Sequence, residues 1–497
     1  MEKINLKLPR VTPSEAGLDA NAVLDFLDAA EQAGLELHSL MVAVGGKVAA
    51  EGWWAPYAAP FRHGCYSGTK TFTSAAVGFA IAEGLMKESD PLISFFSEQQ
   101  KPGQDANMPL VTIRDLLCMA CGQSEEVDLT KADDAAALFL NAKFPDRPGS
   151  VFRYNSIASH MLGEVIFRKT GRTLPEYLQP RLFAPLGITD VRWDRAPQGR
   201  PMGGWGIHLR TEDYLKLSIL FLQHGVWNGK QVLPQGWAER ASAKQIENAS
   251  ADSLPEWSQG YCYQMWRNVT PGSFRLDGAF GQLCCVYPDR NAVVAVTSAE
   301  NDVQTELNLI RDVLAAGIAD KPLHQPYADR RLAERLAQLS LRETGRVCRS
   351  PLERKFRNAE IVFEKNQGSL FPESQRGMAF LRESGIERAS LRFFEHVCLL
   401  SWTEASHRHT VKVGLDGNYA VSDLELPFAD DPVFAVGRWE GDSFFFTLRA
   451  IEEPHALKGE VTVEGDKACL SYFDALDLTS NEWKEIRGTL RKEDQGE

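Results

Sequence analysis

The stretch Ser67–Met86, SGTKTFTSAAVGFAIAEGLM, decides how the rest of this sequence is interpreted. After its first turn it has almost no polar face, which is typical of a helix buried on all sides within a domain. Residues three apart lie on one face of a helix, so Lys70 can reach the hydroxyl of Ser67. Desolvation favours a neutral Lys70, which can then take a proton. The stretch predicts an activated serine nucleophile; the alternative is that Ser67 only caps the helix.

A second segment, Tyr154-Asn155-Ser156, lies where a loop enters another predicted helix, IASHMLGEVIFRKTG. A phenol beside an ammonium group gives up its proton more readily, so Tyr154 is a candidate partner base. The alternative is an ordinary half-buried tyrosine.

A third segment, Phe274–Gln282, reads FRLDGAFGQ. Its pattern predicts a strand that enters a glycine-rich bend, where backbone amides can approach a substrate oxygen. Gly278 and Gly281 are also compatible with a simple bulge or turn.

In this order and with these spacings, the three segments resemble the SxxK serine acyl-enzyme superfamily, which contains class C β-lactamases, DD-peptidases, D-aminopeptidases and related esterases. The resemblance extends over roughly residues 10 to 320. It implies that Ser67 is the nucleophile, Lys70 its proton partner and Tyr154 the general base. It also implies an oxyanion hole formed by the backbone amides of Ser67 and Ala279. The motifs further supply four candidate substrate-binding residues: Asn155, Ser156, Asp277 and Gly278.

Two departures from the family pattern bear on the substrate. The family's Tyr-x-Asn has asparagine in third place, whereas this chain has Ser156 there and Asn155 in the middle. The family's Lys-Thr-Gly or His-x-Gly strand is here Leu276-Asp277-Gly278, without a cation to hold a substrate carboxylate. Unless Arg275 compensates, β-lactam and carboxypeptidase activity are expected to be poor, and an uncharged ester or amide is favoured.

Composition agrees with an enzyme of two or three domains. The chain has 497 residues, of which 44% are hydrophobic and 24% charged, enough to bury a large core. A net charge of −13 argues against nucleic acid or an anionic membrane as a partner. The partner that we expect is a small-molecule ester, amide or peptide substrate, and a homo-oligomer is left open.

The predicted compartment is the cytoplasm. The first twenty residues contain no apolar stretch that would serve as a signal peptide, and no apolar run approaches the roughly 20 residues of a membrane-spanning helix. Nine cysteines at irregular spacing favour reduced thiols. Cys118 and Cys121 form a CxxC without a second pair, which favours core packing over zinc. We predict no metal and no cofactor.

The predicted fold is α+β: a β-lactamase/transpeptidase-like antiparallel sheet flanked by helices with a helical lobe. This domain spans 1–325, with the nucleophile between sheet and helices. A capping box at Thr112 and Asp115 opens a helix that is expected to end near Gly122. The other predicted elements are a hairpin of 40–44 and 48–53, strands at 260–266, 274–278, 283–287 and 292–298, and a helix at 304–318.

The remainder is predicted to be a helical linker, 326–355, and a small all-β domain, 356–497. About eight short alternating strands suggest an antiparallel barrel or sandwich, and the architecture is compatible with a lipocalin-like barrel. The predicted strands are 360–364, 377–382, 390–396, 409–415, 433–439, 443–450, 459–463 and 468–473.

These observations predict a serine hydrolase, most simply esterase-like. Alternatives within the enzyme class are a D-amino-acid peptidase or amidase, a β-lactamase-like activity and an acyltransferase. A different class of function, a catalytically degraded binding or scaffold protein, is suggested by the two departures and the additional β domain.

Overall fold

The computed structural model describes residues 7–129, 134–251, 253–341, 349–371, 385–404, 406–425, 430–474, 476 and 482–492. The chain forms two compact units. The first comprises Met1–Trp53 and Arg62–Leu339, and the second comprises Trp54–Phe61 and Ser340–Glu497.

The first unit is built on a six-stranded antiparallel sheet. The strands of this unit are β1 Leu37–Val44, β2 Lys47–Trp53, β3 His63–Gly64, β4 Arg192–Trp193, β5 Ile207–Leu209, β6 Val226–Trp227, β7 Lys230–Gln231, β8 Trp266–Arg267, β9 Phe274–Gly278, β10 Gln282–Tyr287 and β11 Ala292–Ser298. The main sheet has the order β2-β1-β11-β10-β9-β8, so both ends of the domain sequence contribute to it, as expected. Strands β10 and β11 are fully buried, which explains their unbroken apolar runs.

Helices cover this sheet and form a separate lobe. They are α1 Pro13–Ala16, α2 Ala20–Ala33, α3 Thr69–Ala82, α4 Ile113–Leu117, α5 Ala135–Leu140, α6 Ser156–Thr170, α7 Leu174–Leu178, α8 Ala184–Leu186, α9 Thr211–Leu222, α10 Trp237–Ser242, α11 Val303–Leu309 and α12 Pro326–Leu336. Helix α9 packs on β10 and β11, whereas α3, α4 and α5 pack around α6. The buried helix predicted from the opening stretch is α3, and its residues from Thr69 to Ala80 are all buried.

The structure confirms some local predictions and corrects others. The capping box of Thr112 and Asp115 is present, but α4 ends at Leu117 because Met119 adopts a left-handed φ of 59°. The strand predicted at 260–266 is wrong apart from its last residue, since Gly260 and Gln264 have φ values of 105° and 67° that interrupt an extended backbone. Within the helix predicted at 304–318, only the part in α11 is a regular α-helix. The following residues, Ile310–Ala315, form a π-helix.

The described residues of the second unit form a ten-stranded sheet that closes on itself into a nine-stranded barrel. Its strands are β12 Ala359–Phe363, β13 Ile386–Phe393, β14 Val397–Glu404, β15 His407–Gly414, β16 Ala420–Glu425, β17 Asp430–Glu440, β18 Ser443–Ala450, β19 Ala456–Glu464, β20 Lys467–Asp474 and β21 Lys484–Lys492. The order is β15-β14-β13-β12-β21-β20-β19-β18-β17-β16, and a further pairing of β15 with β17 closes it. The strand predicted at 377–382 lies outside the described residues, and β14, β16 and β21 were not predicted.

Apolar and polar residues alternate along the barrel strands, so that one face of the sheet lies in an apolar core. Trp402, Trp439 and Phe444 are among its most buried large side chains, with at most 4% of their surface exposed. The segment Trp54–Phe61 belongs to this unit, where the Leu341 amide donates to the Ala55 carbonyl at 2.8 Å. Among the described helices of the whole chain, none has the length and apolarity needed to cross a membrane.

Candidate active site

The predicted nucleophile lies in a strained turn that leads into α3. Tyr66, Ser67 and Gly68 form a single turn of 3₁₀-helix, and Tyr66 has a φ of 47°. Gly68 is in close contact with the hydroxyl of Tyr214, since a Cβ on Gly68 would lie 2.2 Å from that oxygen. The strain at Tyr66 and the tight contact at Gly68 hold Ser67 in one position at the start of the buried helix.

Lys70 is buried with three oxygen partners. Only 1% of the residue is exposed, and its Nζ lies 2.9 Å from the Ser67 hydroxyl and 3.2 Å from the Ser156 hydroxyl. The same ammonium nitrogen donates to the carbonyl of Gly204 at 2.7 Å. Burial lowers the pKa of Lys70 from 10.5 to about 7, and the negative charges of Glu126 and Asp277 oppose this shift. A neutral Lys70 can donate to two of these oxygens and accept the proton of Ser67 with its lone pair.

Tyr154 lies beside the same two residues. Its ring stacks on Trp266 at a centroid distance of 5.5 Å, and the Nζ of Lys70 lies 4.7 Å from the ring centroid. The residue as a whole is 36% exposed, but its hydroxyl is desolvated and lies near enough to Ser67 for that side chain to lower its pKa. Desolvation raises the pKa of Tyr154 well above its usual range, and the Ser67 side chain only partly opposes this. The phenol is therefore protonated in the resting site.

The two residues after Tyr154 have separate local roles. Asn155 is the N-cap of α6, where its side-chain oxygen accepts from the Ala158 amide at 2.8 Å. Its side-chain nitrogen donates to Gln123 at 2.9 Å, so both ends of the Asn155 amide are used in holding the start of the helix. Ser156 instead presents its hydroxyl to Lys70. The structure thus places the Ser156 hydroxyl beside Lys70, and it uses the Asn155 side chain to hold the start of α6.

The end of β9 packs against the segment that carries the nucleophile. A Cβ on Gly278 would lie 2.2 Å from the carbonyl oxygen of Cys65, so only glycine permits this approach. The rings of Tyr66 and Phe280 meet edge to face at 5.4 Å. These two contacts place the turn after β9, which contains Ala279, beside the turn that contains Ser67.

Arg275 does not replace the cation that the family motif would supply. It is completely buried, and its Nε donates to Asp277 at 2.8 Å. One guanidinium nitrogen donates to the Glu256 carbonyl at 3.0 Å and to Asn268 at 2.9 Å. These internal bonds hold the guanidinium within the protein.

Two carboxylates contribute negative charge near Lys70 and Tyr154. Asp277 accepts hydrogen bonds from Trp257 and Arg275, and burial raises its pKa. Glu126 accepts a hydrogen bond from the backbone amide of Ser156. Both carboxylates act electrostatically on Lys70 and on Tyr154.

Sequence reasoning missed two of these contributors. The carbonyl of Gly204 lies in the sequence GGWG, and a Cβ on Gly204 would lie 2.3 Å from the Ser156 carbonyl oxygen. The glycine pair was the signal available for this close approach. Glu126 stands in an irregular loop without any distinguishing pattern, and only its position in the fold shows its proximity to Ser156.

Comparisons with known proteins agree with this fold. The family model described as Beta-lactamase matches residues 27–317 of the chain. The 6-aminohexanoate-dimer hydrolase of Paenarthrobacter ureafaciens is 25% identical over 320 residues, which span 59% of this chain and 81% of that protein.

Solved structures share the fold of the first unit. A Bacillus anthracis protein, provisionally named a 6-aminohexanoate-dimer hydrolase, matches with a TM-score of 0.52 and 19% identity and covers 62% of this chain and 87% of that one. A family VIII carboxylesterase matches with a TM-score of 0.50 and 16% identity and covers 62% of this chain and 98% of that one. At these identities the two structures establish a common fold.

Proposed function

The chain belongs to the β-lactamase family, and we propose that it is a serine hydrolase that cleaves an ester or amide through an acyl-enzyme on Ser67. The observation that carries this proposal is the contact between the Ser67 hydroxyl and Lys70 at 2.9 Å, with the desolvated Tyr154 beside both residues. A nucleophile and a base within hydrogen-bond reach are the first requirement of covalent catalysis.

Acylation begins with transfer of the Ser67 proton to neutral Lys70. Because burial holds the pKa of Lys70 at about 7 and raises that of Tyr154, Lys70 is the better initial acceptor. The Ser67 oxygen then forms a bond to the acyl carbon, and the carbonyl oxygen becomes an oxyanion. The amides of Ser67 and Ala279 are proposed to stabilise that charge.

Collapse of the tetrahedral intermediate breaks the bond to the leaving group. The leaving oxygen or nitrogen takes a proton from the Tyr154 hydroxyl, which regains one from the Lys70 ammonium. In deacylation a water molecule gives a proton to Lys70 and attacks the acyl carbon. Ser67 then leaves with a proton returned from Lys70, and the acid product is released.

The charge of the site favours substrates without a carboxylate near β9. Asp277 and Glu126 bring negative charge to the catalytic group, and the guanidinium of Arg275 is held by internal partners. A matched pair of esters with one leaving group, butyrate and hemisuccinate, tests this inference. We expect kcat/KM to favour butyrate by at least about tenfold, the effect of roughly 1.4 kcal/mol of repulsion. Equal values for the two esters would contradict it.

The central experiment compares wild type with Ser67→Ala. Wild type should react with a fluorophosphonate probe and hydrolyse a chromogenic butyrate ester, whereas the variant should do neither above background. Intact-protein mass spectrometry should show one acyl adduct on wild type. Equal labelling and turnover in both proteins would refute the proposal, and ligand binding without reaction would favour a scaffold function.

An amidase is the second candidate, because the Paenarthrobacter ureafaciens relative is named for the hydrolysis of a 6-aminohexanoate dimer. Parallel assays with butyrate esters and D-alanyl anilides separate esterase from amidase activity. Adding an alcohol or amine acceptor and analysing the products reveals acyl transfer.

A further inference from the structure

The turn after β9 is supported from behind by three buried polar side chains, Gln282, Ser298 and Glu306. We call them the turn-support cluster. They come from β10, from the end of β11 and from α11, and each has 0% of its surface exposed. The catalytic steps described above do not use these side chains.

Two members of the cluster bind all three carbonyl groups of the turn. The side-chain nitrogen of Gln282 lies 3.2 Å from the Ala279 carbonyl and 2.9 Å from the Phe280 carbonyl. The hydroxyl of Ser298 lies 2.9 Å from the Phe280 carbonyl and 3.1 Å from the Gly281 carbonyl. Because these carbonyls point into the protein toward donors, the three peptide units that follow the Ala279 amide are held in place. The Ala279 amide itself belongs to the preceding Gly278–Ala279 peptide unit, which is joined to them at the Ala279 Cα.

Glu306 holds the Ser298 hydroxyl in position against the turn. Its carboxyl oxygen lies 3.0 Å from the Ser298 hydroxyl. Burial raises the pKa of Glu306 well above its usual range, and the neighbouring acids Glu300 and Asp277 act in the same direction. The Ser298 hydroxyl donates toward this carboxyl oxygen as well as toward the turn, so the contact with Glu306 holds the hydroxyl beside the carbonyls of Phe280 and Gly281.

The turn needs this support because its backbone is strained. Phe280 and Gly281 have successive positive φ values of 63° and 82°. The left-handed region is unfavourable for a residue with a Cβ, so Phe280 requires compensating bonds. The cluster also fits closely against the turn, since a Cβ on Gly281 would lie 1.9 Å from the Ser298 hydroxyl and 2.2 Å from Glu306.

We propose that Gln282, Ser298 and Glu306 are positioning residues that aim the Ala279 amide at the acyl oxygen of the substrate. This inference rests on the proposed hydrolase function, in which that amide is half of the oxyanion hole. Glu306 acts through Ser298, and Ser298 acts through the carbonyls of Phe280 and Gly281. None of the three touches the substrate.

The test uses Ser298→Ala, Glu306→Leu and the conservative Glu306→Gln, whose amide oxygen can still accept from Ser298. Thr297→Val is the matched control, because it removes a buried hydroxyl bonded to Ser39 at 2.6 Å from the adjacent position of β11. We expect Ser298→Ala and Glu306→Leu to lower kcat for the butyrate ester by roughly tenfold or more, with KM within about twofold, by analogy with the loss of an oxyanion-hole donor. Glu306→Gln and Thr297→Val should stay within about threefold of wild type.

A thiono ester identifies the cause of the loss. Sulfur is a weak hydrogen-bond acceptor, so the wild-type preference for the oxygen ester measures how well the oxyanion is bound. In Ser298→Ala and Glu306→Leu the preference for the oxygen ester over the thiono ester should fall about in proportion to kcat. A general loss of active protein would instead lower the rates on the two esters equally. Circular dichroism confirms that each variant is folded before its rates are compared.

Four outcomes would each overturn part or all of this inference. Wild-type rates in Ser298→Ala and Glu306→Leu overturn the inference, as does an equal loss on both esters. Failure of Glu306→Gln to restore activity overturns the assigned role of Glu306. A wild type that neither hydrolyses esters nor reacts with the fluorophosphonate overturns the proposed function itself, and the inference with it.

Discussion

Lys70 should titrate near neutral pH and set the acidic limb of the pH–rate profile. Burial holds its pKa at about 7 instead of 10.5. At 1.36 kcal/mol for each pH unit, the site favours the neutral amine by about 5 kcal/mol relative to water. Only the neutral amine can accept the Ser67 proton, so the fraction of active enzyme follows this ionisation.

The expected profile has a defined shape. The neutral fraction of Lys70 is about 0.1 at pH 6 and about 0.9 at pH 8, so kcat/KM for a neutral ester should rise roughly tenfold over that interval and then level off. Stopped-flow or continuous release of a chromogenic alcohol at fixed ionic strength gives the profile. If kcat/KM instead kept rising tenfold per pH unit up to pH 9, Lys70 would have the pKa of an ordinary lysine, and the reasoning would be refuted.

The same ionisation affects stability. Between pH 7 and 10.5 the unfolded chain holds a proton on Lys70 that the folded chain does not, so the free energy of unfolding rises with pH by up to about 1.4 kcal/mol per unit. Lys70→Met removes this contribution. The free energies of unfolding of wild type and variant are measured with urea at pH 7.5, 8.5 and 9.5. As the pH rises, wild type should gain stability relative to the variant by up to about 1.4 kcal/mol per pH unit. A constant difference would contradict the shifted pKa.

Lys216→Met is the control for these measurements. Lys216 is a buried lysine of the same unit, and its ammonium lies 2.9 Å from Asp213, which Arg210 also binds. Because Lys216 has a carboxylate partner and lies outside the catalytic group, its replacement should leave the midpoint of the pH–rate profile near 7.

Further predictions concern packing around the site and in the barrel. Gly68→Ala should lower kcat and cost about 1–3 kcal/mol of stability, because the new methyl group would meet the Tyr214 hydroxyl. Adding Tyr214→Phe should recover part of the lost kcat and part of the lost stability, as measured by kinetics and urea denaturation. Trp402→Ala, at a residue that is 1% exposed, should cost the barrel about 3–5 kcal/mol in denaturation, whereas Trp483→Ala, at a residue that is 47% exposed, should change stability little. Cys118 should react with a thiol reagent at pH 8 only after denaturation, because burial raises its pKa to about 12; fast labelling of the folded protein at this residue would contradict its burial.

Much of the fold followed from local patterns. The strands Phe274–Gly278 and Ala292–Ser298 have the predicted bounds, and the hairpin around Gly45-Gly46 is present. The prediction at 260–266 was wrong because apolar residues there suggested a strand, whereas the backbone turns at Gly260 and Gln264. Tertiary contacts hold that turn, since the Gln264 side chain binds the carbonyls of Leu116 and Leu117, about 150 residues earlier in the sequence.

The barrel was also only partly predicted from local sequence patterns. The alternation of apolar and polar residues indicated an antiparallel β domain, but three of the ten strands in its described residues were not predicted. Short alternating segments such as β16 carry little signal by themselves, and pairing with neighbouring strands decides whether they become part of a sheet.

The sequence by itself determined that Ser67 and Lys70 meet, because three residues along a helix is a local distance set by backbone geometry. The tertiary structure alone decided what surrounds them. It brings the Gly204 carbonyl to Lys70 across 134 positions and buries the guanidinium of Arg275 among internal partners. Desolvation and Coulomb interactions depend on distance in space, and that distance is fixed only when the whole chain has packed.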